Sequence, residues 1–478
     1  MTTASLASWK RSRWTRPSPP RKSRMTAKHW LFAGIALCWA AGAAAFPVVQ
    51  QWQTANGVPV YLVERHDLPV IDLRIDVDAG ESRSPAGTPG LATMTLYGLM
   101  DKDFETNELR TPYQLLTDTG NQYGVDLRRD RASILLRVVS TRGPMTMVST
   151  LAKQMADAKY PFEYFKYRRD AVVGQLPENP AKSSTERNLS LALYGDHPLA
   201  NLDRRTPDTV KSVGNSAARG FYRSFYVPGN LIVTLVGDVS RADAEKMANL
   251  LTEHLPKGDA AAPLPPVPLS ASSVEAAPQR LVRQKNQSSI ELAQLLPIDR
   301  KSPDMAAIML GNYMLGSSGF QSRLMRELRE KRGLTYDVSS SLDILRGSAM
   351  LSIDISTRSE QEQQALQLLH DELARFTRDG PTEAEVAEAK DRYLRSMSFW
   401  GSTNQALLGL VANLGYYKLP LDYYDQLAAR IEKLNAADIK AAWQRHVDPT
   451  RFRIAIEGPE PAKPATDATP AAIAASAP

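Results

Sequence analysis

Apolar and polar residues alternate along four stretches in the first half of the chain, and each stretch predicts a strand. The four stretches are residues 58–64, 70–78, 124–128 and 132–140. The first two are expected to pair as a hairpin, and an apolar run at 230–239 predicts a central strand. Between them, apolar residues recur at helical spacing. This spacing predicts helices at 90–100, 112–119, 144–158, 161–175, 183–194, 207–225 and 241–254.

The same order of elements recurs in the second half. Alternation predicts strands at 288–296, 335–343, 348–356 and 452–457. Helical spacing predicts helices at 303–315, 320–331, 359–378, 382–399, 403–414, 421–431 and 436–446. Because the two halves share one plan, the sequence indicates an internal duplication of about 200 residues. The predicted fold class is α+β, with two similar domains that each pack a mostly antiparallel sheet against helices.

A Pro/Ala-rich segment separates the two halves. Residues 257–280 include four prolines within 263–268, and this composition is typical of an extended, semi-stiff linker. The predicted N-terminal domain is therefore 46–256, and the C-terminal domain is 281–458. Residues 459–478 are mostly Ala, Pro and Thr with few large apolar side chains, which predicts a disordered tail.

The net charge of +6 comes from the first 45 residues, which hold eight Lys or Arg and no acid. The remainder carries 50 basic and 52 acidic residues, a charge of −2, and nothing in it favours binding to nucleic acid. Lys28 and His29 precede an apolar run, 30–41, and the small residues 42–45. This order predicts a signal peptide, 1–45, cleaved after Ala45, and the apolar run is short for a membrane span. We therefore expect export to a bacterial periplasm, with no stable membrane insertion after cleavage; an uncleaved anchor is the alternative.

Most recognisable catalytic motifs are missing. The only cysteine, Cys38, lies in the predicted signal peptide, and no G-x-S-x-G nucleophile motif occurs. The six histidines are scattered, and lone histidines are more often structural than metal ligands. A hydrolase that is active alone would need a site assembled from distant residues.

The stretch 326–336, R-E-L-R-E-K-R-G-L-T-Y, carries the most informative chemistry. It follows a short loop, Gly316-Ser317-Ser318-Gly319, whose residue types adopt backbone conformations that bulkier residues resist. Arg329 is expected near a helix end, and Tyr336 at the start of a strand. A guanidinium and a phenol held together could clamp a peptide carbonyl or a developing oxyanion. The alternative is a solvated helix end and a half-buried core tyrosine.

Four motifs in the right order resemble the pitrilysin/insulinase family of zinc peptidases, which includes the mitochondrial processing peptidases. The motifs lie at 78–92, 193–199, 230–238 and 315–336. The resemblance covers about 50–458, which is nearly the whole chain after the predicted signal peptide.

The metal motif of that family is replaced in this chain. Family members place two His and a Glu, spaced H-x-x-E-H, on one helix, and here Thr93, Leu96 and Tyr97 occupy those positions. Gln175 stands where the distal Glu ligand is expected, and a neutral amide is a poor zinc ligand. The resemblance therefore implies that this chain binds no metal or other cofactor and that zinc is held by a partner subunit.

In the resembled family, an Arg and a Tyr seven residues apart bind the substrate backbone and stabilise the tetrahedral intermediate. Arg329 and Tyr336 match that pair in type and spacing, and the loop 316–319 is expected to bind substrate beside them. The resemblance implies a zinc-less subunit, inactive alone, of a heterodimeric metallopeptidase whose zinc-motif partner hydrolyses peptides or unfolded polypeptides. The alternative is a homodimeric pseudo-peptidase that binds peptides or scaffolds a complex without hydrolysis.

Substrate is expected to pair with an exposed sheet edge of the partner by strand addition. The equivalent edge of this chain is predicted at 124–128. Arg128, Arg129 and Arg131 make this edge unlike a peptide-binding edge and are expected to protect it against aggregation.

Overall fold

The computed structural model describes residues 46–99, 120–156, 158–179, 182–267 and 278–460. Within them, eleven strands form one six-stranded and one five-stranded sheet. The strands are β1 (Gln50–Gln53), β2 (Pro59–Glu64), β3 (Val70–Val77), β4 (Gln122–Leu127), β5 (Ala132–Val139), β6 (Leu231–Gly237), β7 (Gln279–Val282), β8 (Gln287–Leu296), β9 (Thr335–Ile344), β10 (Ala349–Arg358) and β11 (Arg453–Gly458). The sheet orders are β1-β2-β6-β3-β5-β4 and β7-β11-β8-β10-β9.

The predicted hairpin between 58–64 and 70–78 is wrong, although both strands exist. Strand β6 lies between β2 and β3, parallel to β2 and antiparallel to β3. All seven residues of β6 are buried, so this apolar strand is most stable at the centre of the sheet. The hairpin partner of β2 is instead β1, and the turn between them contains Gly57 at φ 86°.

Helices occupy nearly all the predicted positions within the described residues. They are α1 (Leu91–Leu99), α2 (Pro144–Ala156), α3 (Phe162–Gln175), α4 (Thr185–Tyr194), α5 (Asn201–Arg204), α6 (Pro207–Lys211), α7 (Asn215–Phe225), α8 (Arg241–Thr252), α9 (Met305–Asn312), α10 (Glu362–Asp379), α11 (Glu383–Met397), α12 (Asn404–Tyr416), α13 (Tyr423–Lys433) and α14 (Ala436–His446). The helix predicted at 207–225 is interrupted between α6 and α7, and the one predicted at 112–119 lies outside the described residues.

Each half of the fold contributes a helix to the sheet of the other half. Helix α12 packs its apolar face on β2, β3 and β6 of the first sheet, while α4 packs on β8 and β11 of the second. The approach of α12 is close: a Cβ at Gly415 would lie 2.4 Å from a ring carbon of Tyr61. Burying these apolar side chains stabilises the association of the halves, by about 2 kcal/mol for each fully buried Leu or Ile.

Polar contacts fix the same junction. The hydroxyl of Tyr416 donates to the Asp130 carbonyl oxygen at 2.6 Å, and that of Tyr417 donates to the Asp130 carboxylate at 2.9 Å. Arg346 donates to Asp78 at 2.8 Å, again across the two halves. The two tyrosine bonds lie at the turn between β4 and β5 and anchor that turn to the C-terminal half, while the Arg346 bond holds the residue that follows β3.

The fold-class prediction is confirmed: each half carries one mixed, mostly antiparallel sheet packed against helices. The predicted domain boundaries stay predictions, and β7 begins two residues inside the predicted linker. The predicted signal peptide lies outside the described residues, as does the tail apart from its first two residues. Of the helices in the described part of the chain, none has both the length and the hydropathy needed to cross a bilayer.

Candidate functional site

The segment that carries Arg329 is wound more widely than an α-helix. Helix α9 continues as a π-helical turn over Tyr313–Ser317, and a second π-helical segment covers Met325–Glu330. A 3-10 turn, Gly319–Gln321, joins them, with Gly319 at φ 63°. π-helical turns are rare and are frequently found at functional sites. The predicted helix at 320–331 is therefore helical over most of its length, and the wide turns determine where Arg329 points.

Strand β9 forms the free edge of the second sheet, and it contains a bulge beside Tyr336. Val338 pairs with Ile355 and Thr335 with Thr357, so two residues of β9 lie opposite one residue of β10. A bulge breaks the inward–outward alternation and re-aims a side chain. Tyr336 is 82% exposed as a result, so the alternative of a half-buried core tyrosine is wrong.

The structure brings Arg329 and Tyr336 together. The guanidinium carbon of Arg329 lies 4.8 Å from the ring centre of Tyr336 and 4.6 Å from that of Phe320. Both distances are within the range of cation–π attraction. Among the described residues, the Arg329 guanidinium has no hydrogen bond or ion pair, so its N–H groups remain able to bind a ligand.

Three neighbouring charges, Glu327, Lys331 and Arg332, are paired with one another and do not compete for Arg329. Lys331 and Arg332 both donate to the carboxylate of Glu327, at 2.6 and 2.8 Å. Although burial opposes it, these hydrogen bonds lower the pKa of Glu327 to about 2, so this carboxylate stays ionised. The end of the helix thus has one arginine held by aromatic rings and two cations held by a carboxylate.

The four loop residues predicted to bind substrate have different surroundings. Gly316 is buried against β9, where an added Cβ would lie 2.4 Å from Ser340 Oγ, so its role is close packing. Ser317 and Gly319 are exposed and Ser318 is half-buried. These three stay candidates for substrate contact, and they lead directly into Phe320.

Sequence reasoning missed Phe320, which is 62% exposed yet contacts Arg329. Its position directly after the Gly/Ser loop is the only sequence signal for it, since large exposed aromatic residues are unusual in loops of soluble proteins. The contact with Arg329 depends on the turn made by the loop.

The positions of the family's metal motif hold a different, non-metal arrangement. Thr93 is buried in α1 and donates through Oγ1 to Glu81 Oε2 at 2.6 Å, while Leu96 is fully buried. Tyr97 is half-buried, with the guanidinium carbon of Arg168 5.8 Å from its ring centre. Gln175 is exposed at the last position of α3. A hydroxyl, an alkyl group, a phenol and an amide do not fit zinc, which prefers His, Cys and carboxylate ligands.

Glu81 caps the first turn of α1 from a fully buried position. Its carboxylate accepts hydrogen bonds from Ser84 Oγ at 2.7 Å, from the backbone N–H of Thr93 at 3.1 Å and from the backbone N–H of Gly90. Burial raises the pKa of Glu81, against the opposing effect of these bonds. Arg205 adds a bond to Thr93 Oγ1 at 3.0 Å. The described residues contain no group of three or more His, Cys, Asp or Glu able to hold a metal.

Strand β4 lies at the edge of the first sheet, as predicted, but its arginines are not a row of exposed charges. Arg129 pairs with Asp203 and donates to the Leu199 carbonyl oxygen at 3.0 Å, with only 12% of its side chain exposed. Arg131 is buried, and its guanidinium carbon lies 4.9 Å from the ring centre of Tyr416. Arg128 alone is exposed, so the expectation that all three arginines protect the edge is wrong for two of them.

A polar cleft of about 670 Å³ lies between the two halves, beside this turn. One wall carries Glu291 of β8 and Asp354 of β10, which lie directly opposite each other in the strand register, together with Glu186 of α4. Burial, followed by the charges of Asp354 and Glu186, raises the pKa of Glu291 to about 7. The cleft is therefore a second region of concentrated charge in the described fold.

Comparison with known proteins identifies the family. A model described as the peptidase M16 inactive domain matches residues 214–393, a region that contains both Arg329 and Tyr336. A crystal structure of a peptidase M16 inactive domain from Pseudomonas fluorescens is 31% identical to this chain, with a TM-score of 0.78, and the match covers 86% of this chain and 98% of that one. The chain belongs to the M16 family of peptidases.

Other named proteins are similar to this chain over most of its length. A protein named as a non-peptidase homolog, YmxG of Helicobacter pylori, is 23% identical over 401 residues, which are 84% of this chain and 91% of that protein. The fold of pitrilysin matches with a TM-score of 0.71 at 16% identity, and the match covers 86% of this chain and 45% of pitrilysin. The match to the M16 inactive-domain model and the name of the Helicobacter pylori relative support a pseudo-peptidase member of the family. That the chain is inactive alone stays a prediction.

Proposed function

We propose that this M16 protein is the zinc-less subunit of a heterodimeric metallopeptidase and supplies Arg329 and Tyr336 to a site shared with a zinc-bearing partner. The observation that carries the proposal is the guanidinium of half-buried Arg329, which contacts two aromatic rings and has no hydrogen-bond acceptor among the described residues. A charged donor held in this way is suited to a carbonyl oxygen that gains negative charge during reaction.

In the shared site, Arg329 would donate from its N–H groups to the oxygen of the scissile carbonyl. The hydroxyl of Tyr336 would donate a second hydrogen bond to the same peptide. Both side chains are set in place before substrate arrives, Arg329 by stacking and Tyr336 by the bulge in β9, so little reorganisation is needed at the moment of reaction. The zinc of the partner would activate the attacking water.

Peptides and unfolded segments are the proposed substrates, because Tyr336 lies at the free edge of a sheet where only an extended chain could follow the backbone. The partner would be an M16 protein that retains H-x-x-E-H. We also propose export to a periplasm, on the order of charged, apolar and small residues within 1–45.

A second candidate function is peptide binding or scaffolding without hydrolysis. It is favoured by the name of the Helicobacter pylori relative, which is called a non-peptidase homolog. In that case the Arg329–Tyr336 pair would hold a peptide backbone, and the protein would form a homodimer.

The test is a peptidase assay on the mature chain alone, on a zinc-motif M16 protein from the same organism alone, and on the mixture, with zinc measured in each sample. The heterodimer predicts that this chain is zinc-free and inactive and that it raises the turnover of the zinc-motif protein. An inert mixture in which the chain still binds an unfolded peptide would support the second candidate. Zinc and turnover in the chain alone would overturn both.

A further inference from the structure

We propose that the cavity beside Arg329 is a specificity subsite for the side chain of a lysine or arginine in the bound polypeptide. This inference rests on the proposed function, because it requires a peptide backbone at the Arg329–Tyr336 pair. The cavity has a volume of about 280 Å³ and lies between the loop that follows α9 and helix α11. It fits one long side chain.

The cavity lies next to the Arg329–Tyr336 pair. The Phe320 ring contacts the Arg329 guanidinium and also lines the cavity, and so does Ser318 of the preceding loop. A peptide whose carbonyl is held by Arg329 would therefore have a neighbouring side chain within reach of the cavity. One aromatic ring separates the backbone site from the side-chain site.

The walls suit a cation on a long apolar stem. Phe320 and Tyr313 offer aromatic faces, and Met314 offers an apolar surface. Aromatic faces attract ammonium and guanidinium groups, while the methylene groups of Lys or Arg pack on apolar walls.

The charges of the lining leave one carboxylate without a partner. Glu385 is held by Arg323 at 3.0 and 2.7 Å and also accepts a bond from the Thr382 backbone N–H at 2.8 Å. Although burial opposes it, these bonds lower the pKa of Glu385 to about 2. Glu385 therefore stays ionised and bound to Arg323. Both arginines of the lining are paired, Arg392 with Glu388 and Arg326 with Glu385 at 3.4 Å.

Glu330, by contrast, has no hydrogen bond or ion pair within the described part of the chain. It follows Arg329 directly and lines the cavity, so an incoming cation would find an unshared carboxylate beside the aromatic walls. An acidic side chain would be repelled by Glu330. A neutral side chain would displace water from the carboxylate of Glu330 without forming hydrogen bonds in place of those that the water made.

The test measures binding of three peptides to the mature chain. The host peptide is acetyl-Gly-Ser-Ala-Xaa-Ala-Ser-Gly-amide with a fluorescent label, and Xaa is arginine, citrulline or norleucine. Citrulline has nearly the shape of arginine without its charge, so the ratio of the two affinities isolates the charge. We expect the arginine peptide to bind roughly 10-fold more tightly than the citrulline peptide, as a charge-assisted hydrogen bond would provide.

Glu330→Gln should remove most of that ratio by weakening the arginine peptide alone. The matched control is Glu360→Gln, which changes another exposed glutamate that has no described partner and lies away from the cavity. Because both side chains are on the surface, circular dichroism and thermal unfolding should be unchanged in both variants.

Equal binding of the arginine and citrulline peptides to the unaltered protein would overturn the subsite but leave the proposed function in place. An unchanged ratio in Glu330→Gln would overturn the assignment to this cavity. Failure of all three peptides to bind, together with no activation of the zinc-motif protein, would overturn the proposed function itself.

Discussion

The guanidinium carbon of Arg329 lies 4.6 Å from the ring centre of Phe320, nine residues earlier in the chain. The wide π-helical segment Met325–Glu330, which begins after Phe320 and contains Arg329, makes this contact possible because it returns the chain to the same surface. Phe320 is therefore expected to position Arg329.

Replacing Phe320 by Ala should lower kcat of the proposed heterodimer about 5-fold and change KM little. The reason is that a lost cation–π contact of about 1 kcal/mol leaves Arg329 free to adopt other rotamers. Phe320→Tyr should restore activity. As a control, Phe399→Ala removes another exposed aromatic, 72% accessible, and should have no effect. A loss confined to KM would assign Phe320 to substrate binding instead.

Arg329→Ala should lower kcat of the heterodimer by roughly 100-fold, by analogy with the loss of one oxyanion donor. Its Tm should not change, since Arg329 has no described ion pair to lose. Steady-state kinetics of the mixture and thermal unfolding of the chain measure these two effects. As a control, Lys331→Ala removes a cation from the same helix end and should leave kcat unchanged. Equal kcat for the two variants would mean that Arg329 is a surface charge with no role in catalysis.

Restoring the family's metal motif in this chain should not restore zinc binding. Thr93→His breaks the bond to Glu81, and Leu96→Glu places a carboxylate at a fully buried position. We expect the triple variant with Tyr97→His to lose about 4 kcal/mol or more of stability and to bind no stoichiometric zinc. Thr93→Ser keeps the hydroxyl and should be near normal. Zinc bound at one equivalent by a folded triple variant would contradict this prediction.

Glu291 should make stability depend on pH. Its folded-state pKa, about 7, is above its ordinary value of 4.5, so the folded state binds the proton more tightly. The resulting stability is fully present below about 4.5 and is lost as the pH rises through about 7. After discounting for solvent, the loss is roughly 1–2 kcal/mol.

At about pH 8, Glu291→Gln should therefore unfold at a higher temperature than the unaltered protein. The difference between the two Tm values should shrink towards about pH 5. Thermal unfolding across this range measures the difference. Glu360→Gln, which lies outside the cleft, should show a constant difference. A difference that is independent of pH would mean that neither burial nor the charges of Asp354 and Glu186 raise the pKa of Glu291.

Phe46 should be the mature N-terminus. Its backbone nitrogen lies 3.2 Å from Asp425 Oδ1, and its ring centre lies 4.8 Å from that of Tyr424. Cleavage after Ala45 would convert this amide into an ammonium group that pairs with the Asp425 carboxylate. Mass spectrometry of the protein from a periplasmic extract should give Phe46 as the first residue. Intact residues 1–45 in that extract would instead indicate an uncleaved segment.

Local patterns in the sequence were sufficient to predict most of the strands and helices of both halves. The alternation at 335–343 and the helical spacing at 359–378 depend on near neighbours, and burial of one face rewards the same pattern in any fold. The seven-residue spacing of Arg329 and Tyr336, and the loss of H-x-x-E-H at Thr93, Leu96 and Tyr97, were likewise readable from the chain.

Tertiary structure decided which elements meet. Strand β6 separates β2 from β3 although it comes about 150 residues later, because a mostly apolar strand that is buried along its whole length gains most from a central position. The bulge that exposes Tyr336, the stacking of Phe320 on Arg329 and the burial of Arg129 and Arg131 all depend on partners distant in sequence. Periodicity records which face of an element is apolar. It carries no information about register or about which distant side chain will satisfy a charge, and these are set only when the two halves pack.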